Sequence, residues 1–100
     1  MELLENTHPG LMLREDYLEP LGLTAYKVAK GTGLTPTHIS KLLRGQCSVT
    51  PLTSLLLGKY LGMSPRFWLN LQNRHDVIEA QRNQQDRLAR VTPCREQQTA

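Results

Sequence analysis

Between Leu21 and His75 the chain carries seven cations, Lys27, Lys30, Lys41, Arg44, Lys59, Arg66 and Arg74, and no Asp or Glu. A solvated surface normally mixes both signs, so an unbroken positive run calls for a polyanionic partner. Within it, Thr35 to Arg44 reads as a short helix: Ile39, Leu42 and Leu43 form a buried stripe, while Thr37, His38, Lys41 and Arg44 point outward. Such a helix suits the major groove of duplex DNA, where threonine reaches a base or a thymine methyl and lysine donates to guanine O6 and N7. Thr37 and Lys41, one turn apart, rank first as base contacts. His38 lies beside them and reads equally well as a solvated or phosphate-facing residue. Phosphate contacts are expected at helix starts, where free N–H groups meet anions. Thr24, Thr35 and Thr50 stand at such starts, with Lys27, Arg44 and Gln46 as cationic or amide companions. Simple capping by the three threonines is compatible with that role. Lys59 and Arg66 read as ordinary surface.

The bland reading of this stretch is a packed helix pair whose cations serve solubility, and the missing acids weigh against it. A single-stranded RNA reader would need an aromatic stacking platform that is not there. Catalysis lacks its parts: no Ser/His/Asp or Cys/His set is evident, and no carboxylate pair sits in the basic body. Cys47 and Cys94 have no CxxC spacing, and His8, His38 and His75 are scattered, so neither a metal nor a cofactor is expected. One hundred residues with net charge +3 make one domain with a modest core. Residues 1–20 hold five acids against Arg14, and from Asp76 onward four acids balance four arginines. No stretch approaches the roughly 20 apolar residues of a membrane span, and the N-terminus has acids where a signal peptide has cations. A cytoplasmic protein without membrane contact is expected.

The outward side chains need a frame to hold them, and Thr24 to Gly45 supplies it. Ala25, Val28 and Ala29 fall at i, i+3 and i+4 and give a first helix one apolar face; small Ala29 lets a second helix cross closely. Gly33 supplies a turn that tolerates positive φ. This is the helix-turn-helix pattern, in which the second helix enters the major groove. Before it, His8-Pro9-Gly10 starts a helix that Pro20 is expected to stop, with Met12, Leu13, Tyr17 and Leu18 inside. Leu21 and Leu23 are available to plug the core. Thr24 is a cap, and Thr35-Pro36, Thr50-Pro51 and Ser64-Pro65 each set a hydroxyl before a first-turn proline. Gly45 and Gly62 close two of these helices. The fourth helix, Pro51 to Leu61, is expected to bury Leu52, Leu55, Leu56 and Tyr60, with Leu57 and Leu61 widening the stripe. The fifth starts at Pro65, carries Phe67, Trp68, Leu69 and Leu71, and is expected to stay ordered to about Ala80. The chain is thus all-α, divided into an arm at residues 1–7, a body at residues 8–80 and a polar tail at residues 81–100.

With HPGLMLREDYLEPLGLT before the helix-turn-helix and SVTPLTSLLLGKYLGMSPRFWLNLQ after it, residues His8 to about Ala80 resemble the HigA (VapI-type) family of antitoxins. That family belongs to the Cro/C1-type (XRE) helix-turn-helix superfamily. The flanking blocks, His8-Pro9-Gly10 with Leu18-Glu19-Pro20-Leu21-Gly22 and Ser64-Pro65-x-Phe67-Trp68-Leu69-x-Leu71-Gln72, carry the resemblance more specifically than the motif they enclose. It implies a compact five-helix, lambda-repressor-like domain that dimerises, represses its own operon and silences a partner HigB-type mRNA endonuclease toxin. Leu11 departs from the family, where an acid is frequent, and the tail varies among relatives. A stand-alone XRE-type repressor without a toxin is the alternative.

A single domain reading one groove binds weakly, so a homodimer on a palindromic operator is expected, with half-site centres about one helical turn apart. Trp68 and Leu71 are the expected dimer contacts, and Phe67 is expected in the core. The arm, the outer faces of the first and fourth helices, and the tail all stay open as toxin-binding surfaces.

Overall fold

In a computed structural model, which describes residues 6–95, hydroxyl caps start the central helices where the sequence places them. The helices are α1 (Pro9–Met12, a π-helical stretch Leu13–Leu18, then Glu19–Leu21), α2 (Ala25–Thr32), α3 (Pro36–Leu43), α4 (Pro51–Leu61), α5 (Phe67–Asn83) and α6 (Gln85–Ala89). No strand occurs among the described residues, and no helix there is long and apolar enough to cross a membrane. The all-α, helix-turn-helix expectation holds. Thr24, Thr35 and Thr50 accept hydrogen bonds from the backbone N–H groups of Lys27, His38 and Thr53 respectively, each satisfying an orphan donor of the first turn.

Pro20 does not stop the first helix. The π-helical turn ahead of it lets Glu19 N–H reach Arg14 O, five residues back, and the helix runs on to Leu21 with Gly22 as its C-cap. A proline ring clashes with the carbonyl four residues earlier and has no N–H to give it; a widened turn relieves both problems. Leu21, expected to plug the core, is 63% exposed because it lies on the outer end of that extension. Ser64-Pro65 opens a turn rather than a helix. Ser64 Oγ accepts from Arg66 N–H, Ser64 O accepts from Phe67 N–H, and α5 begins at Phe67.

The core gathers Leu13 and Leu18 from α1, Val28 and Ala29 from α2, Ile39, Leu42 and Leu43 from α3, then Val49, Leu57 and Trp68. Two glycines shape it. Gly33 takes φ +83° and donates to Ala29 O, turning the chain from α2 into α3. Gly10 lets α1 lie directly on the end of α3: a Cβ there would overlap the Leu42 carbonyl oxygen and sit 2.7 Å from its carbonyl carbon.

The buried face of α4 is not the expected one. Thr53, Ser54, Leu57 and Gly58 turn inward, while Leu52 and Leu55 are exposed. Ser54 Oγ donates to Pro65 O at 2.7 Å and accepts from Leu69 N–H at 3.0 Å, so a hydroxyl ties α4 to the start of α5. Leucines surround this helix, and their spacing alone cannot choose a face.

Phe67 packs against the core as expected, but Trp68 lies deeper in it than Phe67 does. Trp68 has no exposed surface and forms edge contacts with Tyr17 and Phe67 at centroid distances of 5.1 and 5.0 Å. A side chain sealed in this way has nothing to offer a second copy, so the dimer contact expected of Trp68 is corrected to a core role. Phe67 is the half-buried one. Leu71 is also half-buried and borders a cavity with Met12, His75 and Ile78. Helix α5 continues past Ala80 to Asn83, and α6 packs back on it. Of the expected loose arm, Asn6 is tied down, donating to His75 O and Glu79 Oε2. Residues 1–5 of that arm and residues 96–100 of the tail lie outside the described residues.

Candidate nucleic-acid interface

Helix α3 is seated by Ile39, Leu42 and Leu43, which turns its opposite side to solvent. Thr35, Thr37 and Lys41 are exposed there, His38 is half-buried, and together with Cys47 they line a shallow depression. The three expected base contacts therefore lie on one surface. Cys47, a free and half-buried thiol, joins it because the chain after Gly45 folds back beside α3. Sequence reasoning did not place it there, since nothing local fixes the direction of that loop.

Arg44 and Gln46 adjoin this surface as a coupled pair. The Arg44 guanidinium donates to Ser40 Oγ at 2.8 Å and to Gln46 Oε1 at 3.3 Å. A guanidinium has five N–H donors, so these bonds orient it and leave donors over for a phosphate. Gln46 thus acts in part by holding Arg44, a role its position alone does not reveal. Thr24 and Lys27 stand at the start of α2 and Thr50 at the start of α4, outside the depression, all exposed.

Among the described residues none of the seven cations between Leu21 and His75 forms an ion pair; Arg14 pairs with Glu15 at 3.1 Å on α1. No acid lines the depression, so Lys41 and the adjoining Arg44 give its mouth a positive potential.

Two groups absent from the sequence-level site hold α3 in place from behind. His8 caps α1 by accepting Gly10 N–H on Nδ1 at 2.9 Å, and its ring meets His75 edge-on at 5.2 Å. Burial foremost, then the charge of His75, lower the His8 pKa, while a hydrogen bond with the Cys47 backbone and the Asp76 carboxylate act against this. His8 thereby links α1, the loop after α3 and α5. Gln72, buried on α5, accepts Val49 N–H at 2.9 Å and donates to Asp76 Oδ1 at 2.9 Å, which pins the connection from α3 to α4.

This arrangement has close counterparts. A helix-turn-helix family model matches residues 15–68. Virulence-associated protein I of Dichelobacter nodosus is 40% identical over 78 residues, covering 78% of this chain and 72% of that protein. Antitoxin HigA-1 of Vibrio cholerae is 32% identical over 84 residues, covering 84% of this chain and 79% of that protein. The chain belongs to the HigA family of helix-turn-helix antitoxins. The fold of a solved family member, the antitoxin HigA of Pseudomonas aeruginosa with the higBA promoter, superposes with TM-score 0.85 at 22% identity, covering 90% of this chain and 99% of that one. The HigA fold thus accounts for the described body, with the blocks at His8–Gly22 and Ser64–Gln72 meeting through Tyr17, Phe67 and Trp68 and sharing one core with the motif.

Proposed function

We propose that this chain is a dimeric, sequence-specific repressor of its own promoter that also binds and silences a HigB-type mRNA endonuclease. The observation that carries the DNA-binding half is the surface of α3, where Thr37, His38 and Lys41 gather on a cationic face without acids. Thr37 and Lys41 read base edges, and His38 lies between base and backbone. Arg44, held by Ser40 and Gln46, contacts a phosphate, as do the exposed starts of α2, α3 and α4 at Thr24, Thr35 and Thr50, with Lys27 beside the first. Family membership supports the toxin-binding half.

A second copy doubles the contact and matches a palindrome. With Trp68 buried and Leu71 half-buried, an apolar surface open to it lies between α5 and α6, where Val77, Leu88 and Val91 are 56%, 54% and 70% exposed around Ala80. An isologous contact there would cover surface that otherwise faces water.

The reading is tested by titrating the protein into a labelled duplex from upstream of its own gene and into a random duplex of equal length. Tighter binding to the promoter supports it, and equal binding refutes sequence-specific repression. Co-expression with the small reading frame adjacent to the gene tests the toxin. Growth arrest relieved by this protein supports an antitoxin, whereas no arrest, or arrest without relief, leaves a stand-alone repressor.

A further inference from the structure

On α2, Val28, Ala29 and Thr32 face the core with Ala25 packed at its edge, and the other residues divide into two outer rows. One row, Lys27 and Gly31, leans toward α4: Tyr60 Oη lies 3.5 Å from Lys27 O, and a Cβ on Gly31 would strike the Tyr60 ring. The other row is Tyr26 and Lys30, one helical turn apart. It lines a crevice with Ala29, Leu34 and Pro36, and Pro36 is the first residue of α3. The Tyr26–Lys30 row is therefore continuous with the base-reading surface, on the side where α3 begins.

Tyr26 is 64% exposed, and its hydroxyl has no partner among the described residues. Lys30 is exposed and unpaired, and no acid lies within this part of the chain. We propose that Tyr26 and Lys30 form a second DNA contact, in which the phenol hydroxyl donates to a phosphate oxygen flanking the groove and the Lys30 ammonium neutralises the same strand. The proposal rests on α3 being the reading helix, because that places the DNA backbone beside Pro36. Charge decides the occupant: a cation one turn from an unpartnered hydroxyl donor, along a crevice that no acid lines, complements phosphate oxygens, which only accept hydrogen bonds. The contact positions the duplex and carries no base information of its own.

The test is fluorescence anisotropy of the full chain on promoter and random duplexes across a salt series, with Tyr26→Phe, Lys30→Ala and the unaltered protein. Tyr26→Phe removes one oxygen from an exposed side chain, so its melting temperature serves as a fold control. The expected result is a loss of roughly tenfold on both duplexes alike, the scale of a hydrogen bond to a charged group, with an unchanged salt slope. Lys30→Ala is expected to lower the salt slope by about one, the signature of one phosphate neutralised. Because only backbone is touched, the random duplex reports the contact even if promoter discrimination is absent, which separates failure here from failure of the base-reading assignment. Tyr26→Phe that binds both duplexes as tightly as the parent overturns the proposal. So does a Tyr26→Phe variant with intact DNA binding and weakened toxin relief, which would assign the row to a protein partner.

Discussion

Lys41 and Arg44 lie about one turn apart and bear the same charge, yet the proposed function gives them different work, so replacing each with alanine separates base reading from phosphate binding. Lys41 is exposed, forms no ion pair and lines the depression with Thr37 and His38. Its removal leaves no buried group unsatisfied, so stability should change by no more than about 0.5 kcal/mol. A lysine donating to guanine O6 and N7 is worth about 1–3 kcal/mol of discrimination, or roughly 5- to 150-fold in promoter affinity. Random duplex offers no matched base and should lose far less. Arg44 is tethered to Ser40 and Gln46 at the end of α3, and Arg44→Ala should weaken promoter and random duplex by the same factor. The slope of log affinity against log salt should then shrink by about one. Anisotropy titrations on both duplexes at several salt concentrations, with melting temperature as the fold control, give all four numbers. Equal losses on promoter and random DNA for Lys41→Ala would refute its assignment to a base edge.

Three further outcomes follow from the packing around this surface. Gly10→Ala places a methyl on the Leu42 carbonyl, and overpacking against rigid backbone costs about 1–3 kcal/mol or more; chemical denaturation should show it, and unchanged stability would mean that α1 does not lie on α3 as described. Gln72→Leu strands the Val49 N–H and removes the donor to Asp76, for an expected loss of about 1–3 kcal/mol, and a neutral effect would show that this bond does not hold the loop. His8 has a folded pKa below its unfolded value of 6.5, so the unfolded chain binds its proton first as the pH drops. Its contribution to stability is present in full above 6.5 and is lost as the pH falls through the lowered folded value. His8→Asn keeps a capping oxygen without the titration, so its denaturation midpoint should vary less with pH than that of the parent. An identical pH profile would remove His8 from this role.

Where a signal was local, it was legible in the sequence. A hydroxyl followed by proline acts within one turn, and Thr35 and Thr50 cap helices as read, whereas Ser64-Pro65 opens a turn and leaves the helix to begin at Phe67. The stripe at Ile39, Leu42 and Leu43 assigned the outer face of α3 correctly, since a short helix with a single apolar stripe can bury only that side. The same logic failed on α4, where leucines on all sides leave the choice of face to the partner helix. There the Ser54 hydroxyl, bonded to Pro65 and Leu69, decided it. Pro20 misled because a π-helical turn can absorb a proline, and no residue type announces one.

The sequence by itself determined the helix-turn-helix class, the charge sign of the central segment and which side chains of α3 face outward, because each depends on spacing within a turn or on composition within a segment. Only the tertiary structure decided that Trp68 belongs to the core and Phe67 nearer its edge, that Gln46 orients Arg44, and that His8, Gly10 and Gln72 support α3 and the loop after it. Those roles join residues distant in the chain. They exist only once backbones approach closely enough for a missing Cβ or a single buried amide to matter.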